Sequence, residues 1–291
     1  MDIKVLRSTP PWDWPGAAGK TILKTLIDQR AKGSDRLIAA ELAGDLVVMN
    51  GALANALLAI LRSPDEPEQL RAMAAIAFGP VLEQTDLDGF DDPYVDPPIT
   101  EETFHTIQDS LQKLFLDAAT PKQVRRRILE ASVRAPDDWQ QTAIAAAYSS
   151  GDRDWMLTAV FAMRWVRGFD DRILEALNSP DRDIRFEAVQ AAGGWALDAA
   201  WSHVVDIVND ADAPKRLRLA AIEAGGNIRP AEAGVILADL ADSRDEDIAE
   251  AAFEAMAMAE AASDEEDDED DEDEDEDDDD EDDEDEDDWI S

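Results

Sequence analysis

Along most of this chain apolar residues recur three and four positions apart, the spacing of one helix face, with polar residues between them. The first such stretch runs from Ala17 to about Lys32, with Ile22, Leu23, Leu26 and Ile27 on one face and Gly33 as its stop. Paired stretches follow: Asp35–Val48 with Gly51–Arg62, Glu66–Phe78 with Glu101–Asp117, and Pro121–Val133 with Asp137–Tyr148. Then come Asp152–Val166 with Asp170–Asn178, Asp181–Trp195 with Asp198–Asn209, Ala213–Gly225 with Pro230–Ala241, and a last helix from Asp245 to Glu260. Many begin after a Ser, Asp or Pro turn, such as Ser179-Pro180-Asp181, residues that cap or start helices.

The pairs repeat one another. The stretch from Asp183 to Gly193 returns as Pro214 to Gly225, a small-residue helix followed by a glycine-containing break. A column of Arg36, Arg71, Arg125, Met156, Arg185, Arg218 and Ala249 runs through the first helices at intervals of 35, 54, 31, 29, 33 and 31. A period of this size predicts stacked helical hairpins, each too small to cover its own apolar face. The outlying interval places an insertion at 83–99, where Gly89, Pro93, Pro97 and Pro98 predict a loop. The aligned arginine is expected to bridge to an acidic residue of the neighbouring repeat.

The residues that carry this column resemble the HEAT repeat, specifically the short Ala-rich kind of phycobilisome-lyase-type HEAT proteins. They are Arg36 with Ala39 and Ala40, Arg71 with Ala74 and Ala75, Arg125 with Ala131, Arg185 with Ala188 and Ala191, and Arg218 with Ala221. The resemblance implies an all-α, right-handed α-solenoid of about six hairpins, spanning 17–262, with terminal capping helices. Residues 1–16, rich in proline, are expected to be an irregular cap whose Trp12 and Trp14 cover the first helix. Such repeats serve scaffolds, adaptors, lyases and hydroxylases alike, so the fold alone names no activity.

Charge adds to this picture. The 291 residues carry a net charge of −43, with 69 acidic against 26 basic residues. An unbroken acidic run, Asp264–Asp288, is followed by Trp289-Ile290-Ser291, and acids still outnumber bases in the rest of the chain. Such a run is expected to be disordered, so 263–291 reads as an acidic tail. It is similar to the arms of histone chaperones, and Trp289 and Ile290 give its end an apolar anchor. An acidic body repels nucleic-acid phosphates and attracts basic proteins. Cysteine is absent, no basic-apolar leader opens the chain, and no apolar run reaches the roughly 20 residues of a membrane span, so a cytoplasmic protein without disulfides is expected.

Motifs for chemistry fail one by one. Gly19-Lys20-Thr21 lacks the earlier glycine and the strand of a phosphate loop. Asp86, Asp88, Asp91, Asp92 and Asp96 do not fit a calcium-binding hand, though they leave a loose cation site open. The histidines, His105 and His203, are 98 residues apart, and no His-Glu dipeptide exists for the iron site of HEAT-like deoxyhypusine hydroxylases. Arg125–Arg127 and Lys215–Arg218 are short basic clusters, not the sustained basic face that DNA needs. Trp139, Trp155, Trp165, Trp195 and Trp201 are expected in the core.

No catalytic residue and no cofactor are assigned. The expected function is a non-enzymatic scaffold, adaptor or assembly chaperone for a basic protein client. The second helices would line its binding face through Gln141, Arg172 and His203, with Trp165 and Arg167 at a hairpin tip and Trp289 and Ile290 at the tail end. The alternative is an enzyme or enzyme subunit of the phycobilisome-lyase HEAT type.

Overall fold

The structure is a computed structural model and describes residues 2–90, 94 and 97–258. The acidic run, Trp289 and Ile290 lie outside the described residues. Among the described residues all regular structure is helical, as expected of an α-solenoid. None of these helices is long and apolar enough to cross a membrane. The chain forms two compact units, Met1–Ile173 and Leu174–Ser291.

The first unit holds α1 (Ile3–Arg7), α2 (Ala18–Ile27), α3 (Gly33–Ala43), α4 (Gly51–Arg62), α5 (Glu68–Ile76) and α6 (Gly79–Asp88). It continues with α7 (Glu101–Leu116), α8 (Lys122–Ser132), α9 (Asp138–Tyr148), α10 (Arg153–Ala162) and the start of α11 (Asp170–Leu177). Helices α3, α5, α8 and α10 stack in that order, and α2, α4 and α7 stack as a second layer. The second unit holds α12 (Arg182–Gly194), α13 (Trp201–Asn209), α14 (Lys215–Ile228), α15 (Pro230–Ala241) and α16 (246–258). There α12 packs on α14, and α13 and α15 pack on α14 in turn.

The closest pairing is one step out of phase with the hairpins expected from sequence. Three second-layer helices pack more closely on the first helix that follows them than on the one before: α4 on α5, α9 on α10, α13 on α14. The arginine column explains why. Arg36 Nε donates to Leu26 O (2.9 Å), Arg71 Nε to Leu61 O (3.0 Å), Arg125 Nε to Phe115 O (2.7 Å) and Arg218 Nε to Val208 O (2.8 Å). Every acceptor lies ten residues back, in the last turn of the preceding helix. The last four carbonyls of a helix have no partner of their own, and the negative end of the helix dipole favours a cation there. The column therefore caps helix ends instead of bridging to acids as expected. Only Arg36, among the four, also meets a carboxylate of the next repeat, Glu66, through two bonds of 2.7 Å. Arg185 Nε is buried without such a bond.

The glycines of the repeat are not breaks. Gly193 lies inside α12, where an added Cβ would stand 2.7 Å from Ala224 Cβ and 2.8 Å from its Cα. Gly44 meets Ala77 in the same way, at 2.7 Å to its carbonyl oxygen. Both let consecutive first helices converge at their C-terminal ends.

Other boundaries also shift. Residues 3–7 are helical, with Asp2 as N-cap and Ile3 and Leu6 buried. Trp14 folds back on this segment, donating Nε1–H to Leu6 O and Thr9 O, and Trp12, also expected to cover the helix after Ala17, is 79% exposed. Helix α2 stops at Ile27, and Gly33 opens α3. Residues 83–88, expected in a loop, continue α6, because Val81, Leu82 and Thr85 form a buried face and α6 packs on α8; the loop begins at Gly89, whose φ is 66°. The five repeat tryptophans are half-buried, not core: their size places them over neighbouring rings and guanidiniums at the core's edge. Trp139 stands 5.0 Å from Phe115, and Arg229 lies over Trp201 at 5.6 Å.

Candidate protein-binding surface

Four of the expected contact residues come together in the first unit. The turn between α10 and α11 reverses at Gly168, whose φ of 90° suits glycine. Gln141 on α9 donates to Arg167 O of that turn at 3.3 Å. Trp165 lies under the Arg134 guanidinium, 4.9 Å from ring to charge, and Arg134 pairs with Glu83 at 2.6 Å. Arg172 lies between the rings of Tyr148 and Phe169, 5.5 Å from each. These contacts hold the turn against α9. His203 sits on α13 of the second unit, half-exposed, and Trp289 and Ile290 lie outside the described residues.

The two basic clusters are absorbed by the fold. Arg125 caps α7 and lies 5.1 Å from the Phe115 ring. Arg126, buried on α8, donates to Thr158, whose hydroxyl donates to Glu130 at 2.7 Å; Arg127 pairs with the same carboxylate. Lys122 reaches Asp152 and Asp154 at 2.7 and 3.0 Å. Those hydrogen bonds, Asp152 first, raise its ammonium above its ordinary range, while Lys122 holds the Asp152 carboxyl below its own. In the second unit Lys215 repeats the motif with Asp245 and Asp247, at 2.6 and 2.5 Å, and is raised by the same cause. Arg216 lies 3.7 Å over the Phe186 ring, and Arg218 caps α13.

What remains open is apolar. In the first unit a groove of about 960 Å³ runs across α3, α5 and α8, floored by Leu37, Ile38, Ala72, Met73 and Ile76. Its rim is nearly balanced: Arg7 faces Glu41 at 3.4 Å, Arg127 pairs with Glu130 beside the groove, and of the lining carboxylates Glu68 alone makes no ion pair among the described residues. In the second unit a groove of about 700 Å³ crosses α12, α14 and α16, with Phe186, Leu219 and Ala251 in its floor. Both grooves lie on first helices, whereas Gln141, Arg172 and His203 lie on second helices. Asp86 is pushed up by burial, but Asp91, Asp92 and Asp96 lie outside the described residues. Among the described residues no three His or carboxylate side chains gather as a metal site. His105 Nε2 lies 3.8 Å from Glu101 on the exposed face of α7.

No curated protein matches the chain. Residues 171–257 match the family model for HEAT repeats. That match covers the later copies of the column, at Arg185 and Arg218. Among solved structures the chain is similar to human deoxyhypusine hydroxylase in complex with glycerol: 18% identity, 89% of this chain and 88% of that one covered, TM-score 0.39. It is also similar to the complex of CpcE and CpcF of phycocyanin lyase from Nostoc sp.: 17% identity, 87% and 97% covered, TM-score 0.44. Neither likeness bears on activity.

One linking device between the repeated helices escaped the pattern of apolar spacing. Lys122 and Lys215 each stand three residues before a column arginine, and each is followed 30 and 32 residues later by Asp-x-Asp. That doublet opens the next first helix, and Asp152 caps α10 by accepting from Asp154 N and Trp155 N. The lysine thus ties successive first helices at their N-terminal ends, as the glycines do at the other end.

Proposed function

We propose that this chain is a non-enzymatic scaffold that holds a basic protein, as an adaptor or assembly chaperone. One observation carries the reading: the bases of both clusters are engaged within the fold, while the acidic residues exceed them by far and two apolar grooves stay open. A surface of that kind draws basic proteins by long-range attraction and holds them by apolar burial. In this reading the acidic run Asp264–Asp288 recruits the client, Trp289 and Ile290 anchor the end of the tail, and Gln141, Trp165, Arg167, Arg172 and His203 are contact residues.

The test is affinity capture with the full-length chain and with a version ending at Ala262, at low and moderate salt. One basic protein recovered in stoichiometric amount, and lost as salt rises, supports the scaffold. Its loss from the shortened chain assigns recruitment to the tail. Recovery of no protein, or of an acidic one, overturns the proposal.

A further inference from the structure

We infer that the groove of the second unit seats an amphipathic basic helix of the partner protein. This rests on the scaffold reading above and names the form of the client's contact.

The groove's charge is not balanced like that of the first unit. At one end Lys215 is already neutralised by Asp245 and Asp247, and Arg216 is spread over Phe186. Toward the other end stand Glu250 and Glu254, one turn apart on α16, and Glu223 on α14. All three are exposed and line the groove, and none makes an ion pair among the described residues. Three uncompensated carboxylates thus border an apolar floor. Small residues let α14 and α16 approach closely beneath it: an added Cβ at Gly226 would stand 3.2 Å from the carbonyl oxygen of Ala255.

The occupant follows from these facts. The lining is helical, and helices satisfy their own backbone, so an extended peptide would find few backbone partners there. A helix needs none. Laid in the groove, it buries large side chains at i, i+3, i+4 and i+7, and about 700 Å³ holds several of them. Its flanking Lys or Arg side chains meet Glu223, Glu250 and Glu254, which sets orientation and on-rate. The chain's own acidic run carries the wrong sign for this rim.

Fluorescence anisotropy on the full-length chain tests the inference with two labelled peptides of identical composition. In one, leucines form a helical stripe flanked by lysines; in the other, the same residues are scrambled. Attraction to the acidic run is common to both peptides. The striped peptide is expected to bind about tenfold tighter or more, and the chain with Glu250→Lys and Glu254→Lys to lose that preference. Ala251→Lys, at a half-exposed position of the floor, should lose it too, with circular dichroism confirming that each variant keeps its helices. Equal affinity for the two peptides overturns the inference, as does a preference that survives both variants. A basic client captured undiminished by these variants would remove the groove while leaving the scaffold standing.

Discussion

Gly193 and Gly194 are neighbours on α12, and the packing gives Ala opposite effects at the two positions. A Cβ at Gly193 meets Ala224 Cβ at 2.7 Å and Cα at 2.8 Å, and the Cα belongs to the backbone of α14 and cannot rotate away. Relief requires the two helices to separate by about 1 Å, since carbons rest about 3.5–4.0 Å apart. Overpacking of this kind costs about 1–3 kcal/mol. Against it, Ala is better than Gly in a helix by up to about 1 kcal/mol. The expected net effect of Gly193→Ala is a loss of about 1 kcal/mol. At Gly194 nothing lies within 4 Å, so Gly194→Ala collects only the gain, about 0.4–1 kcal/mol. Urea unfolding followed by circular dichroism measures both. Equal stability of Gly193→Ala and Gly194→Ala would show that the close approach of α12 and α14 does not require glycine.

Ala196 holds φ at 47°, in the left-handed region, so Ala196→Gly should stabilise by about 0.5–1 kcal/mol in the same urea assay. Arg71→Lys should cost about 1–3 kcal/mol, because a lysine loses the Nε bond and leaves Leu61 O unpaired in a buried site; Arg185→Lys, where Nε has no such bond, should cost less, and thermal melts of the two compare them. Glu66 is held below its ordinary value of 4.5, first by its hydrogen bonds from Arg36. A depressed carboxylate contributes stability above pH 4.5 and loses it as pH falls through the folded-state value. Glu66→Gln should therefore lower stability at neutral pH and flatten its decline below pH 4.5, as read from urea midpoints across that range.

Much of the fold was legible because its signals are local. Helix α4 begins after Asn50, whose side chain accepts from Ala52 N and Leu53 N, and its apolar spacing carries it to Arg62. The bounds expected for it and for Pro230–Ala241 match those observed. Helix α6 was hidden because Pro80, Asp86, Asp88 and Gly89 resemble a loop in composition, while the buried contacts of Val81 and Leu82 with the rest of the unit come from elsewhere in the chain. The arginine column was visible as a column, but its partner was not: a backbone carbonyl leaves no residue-type signature, so an acid was expected. The grooves were illegible for a similar reason. Phe186, Leu219 and Ala251 lie on three different helices, and only the stacking of those helices makes them one surface.

The arginine caps also bear on how the chain acquires its structure. Each joins residues only ten apart, and the lysine and glutamate links reach about one repeat further, 30 to 32 residues. Contact order is therefore low, and little loop-closure entropy stands before any one contact. Nucleation can start at whichever neighbouring helices meet first and spread by adding one helix at a time. In such an array a single weak cap slows the growth of its own segment without arresting the others.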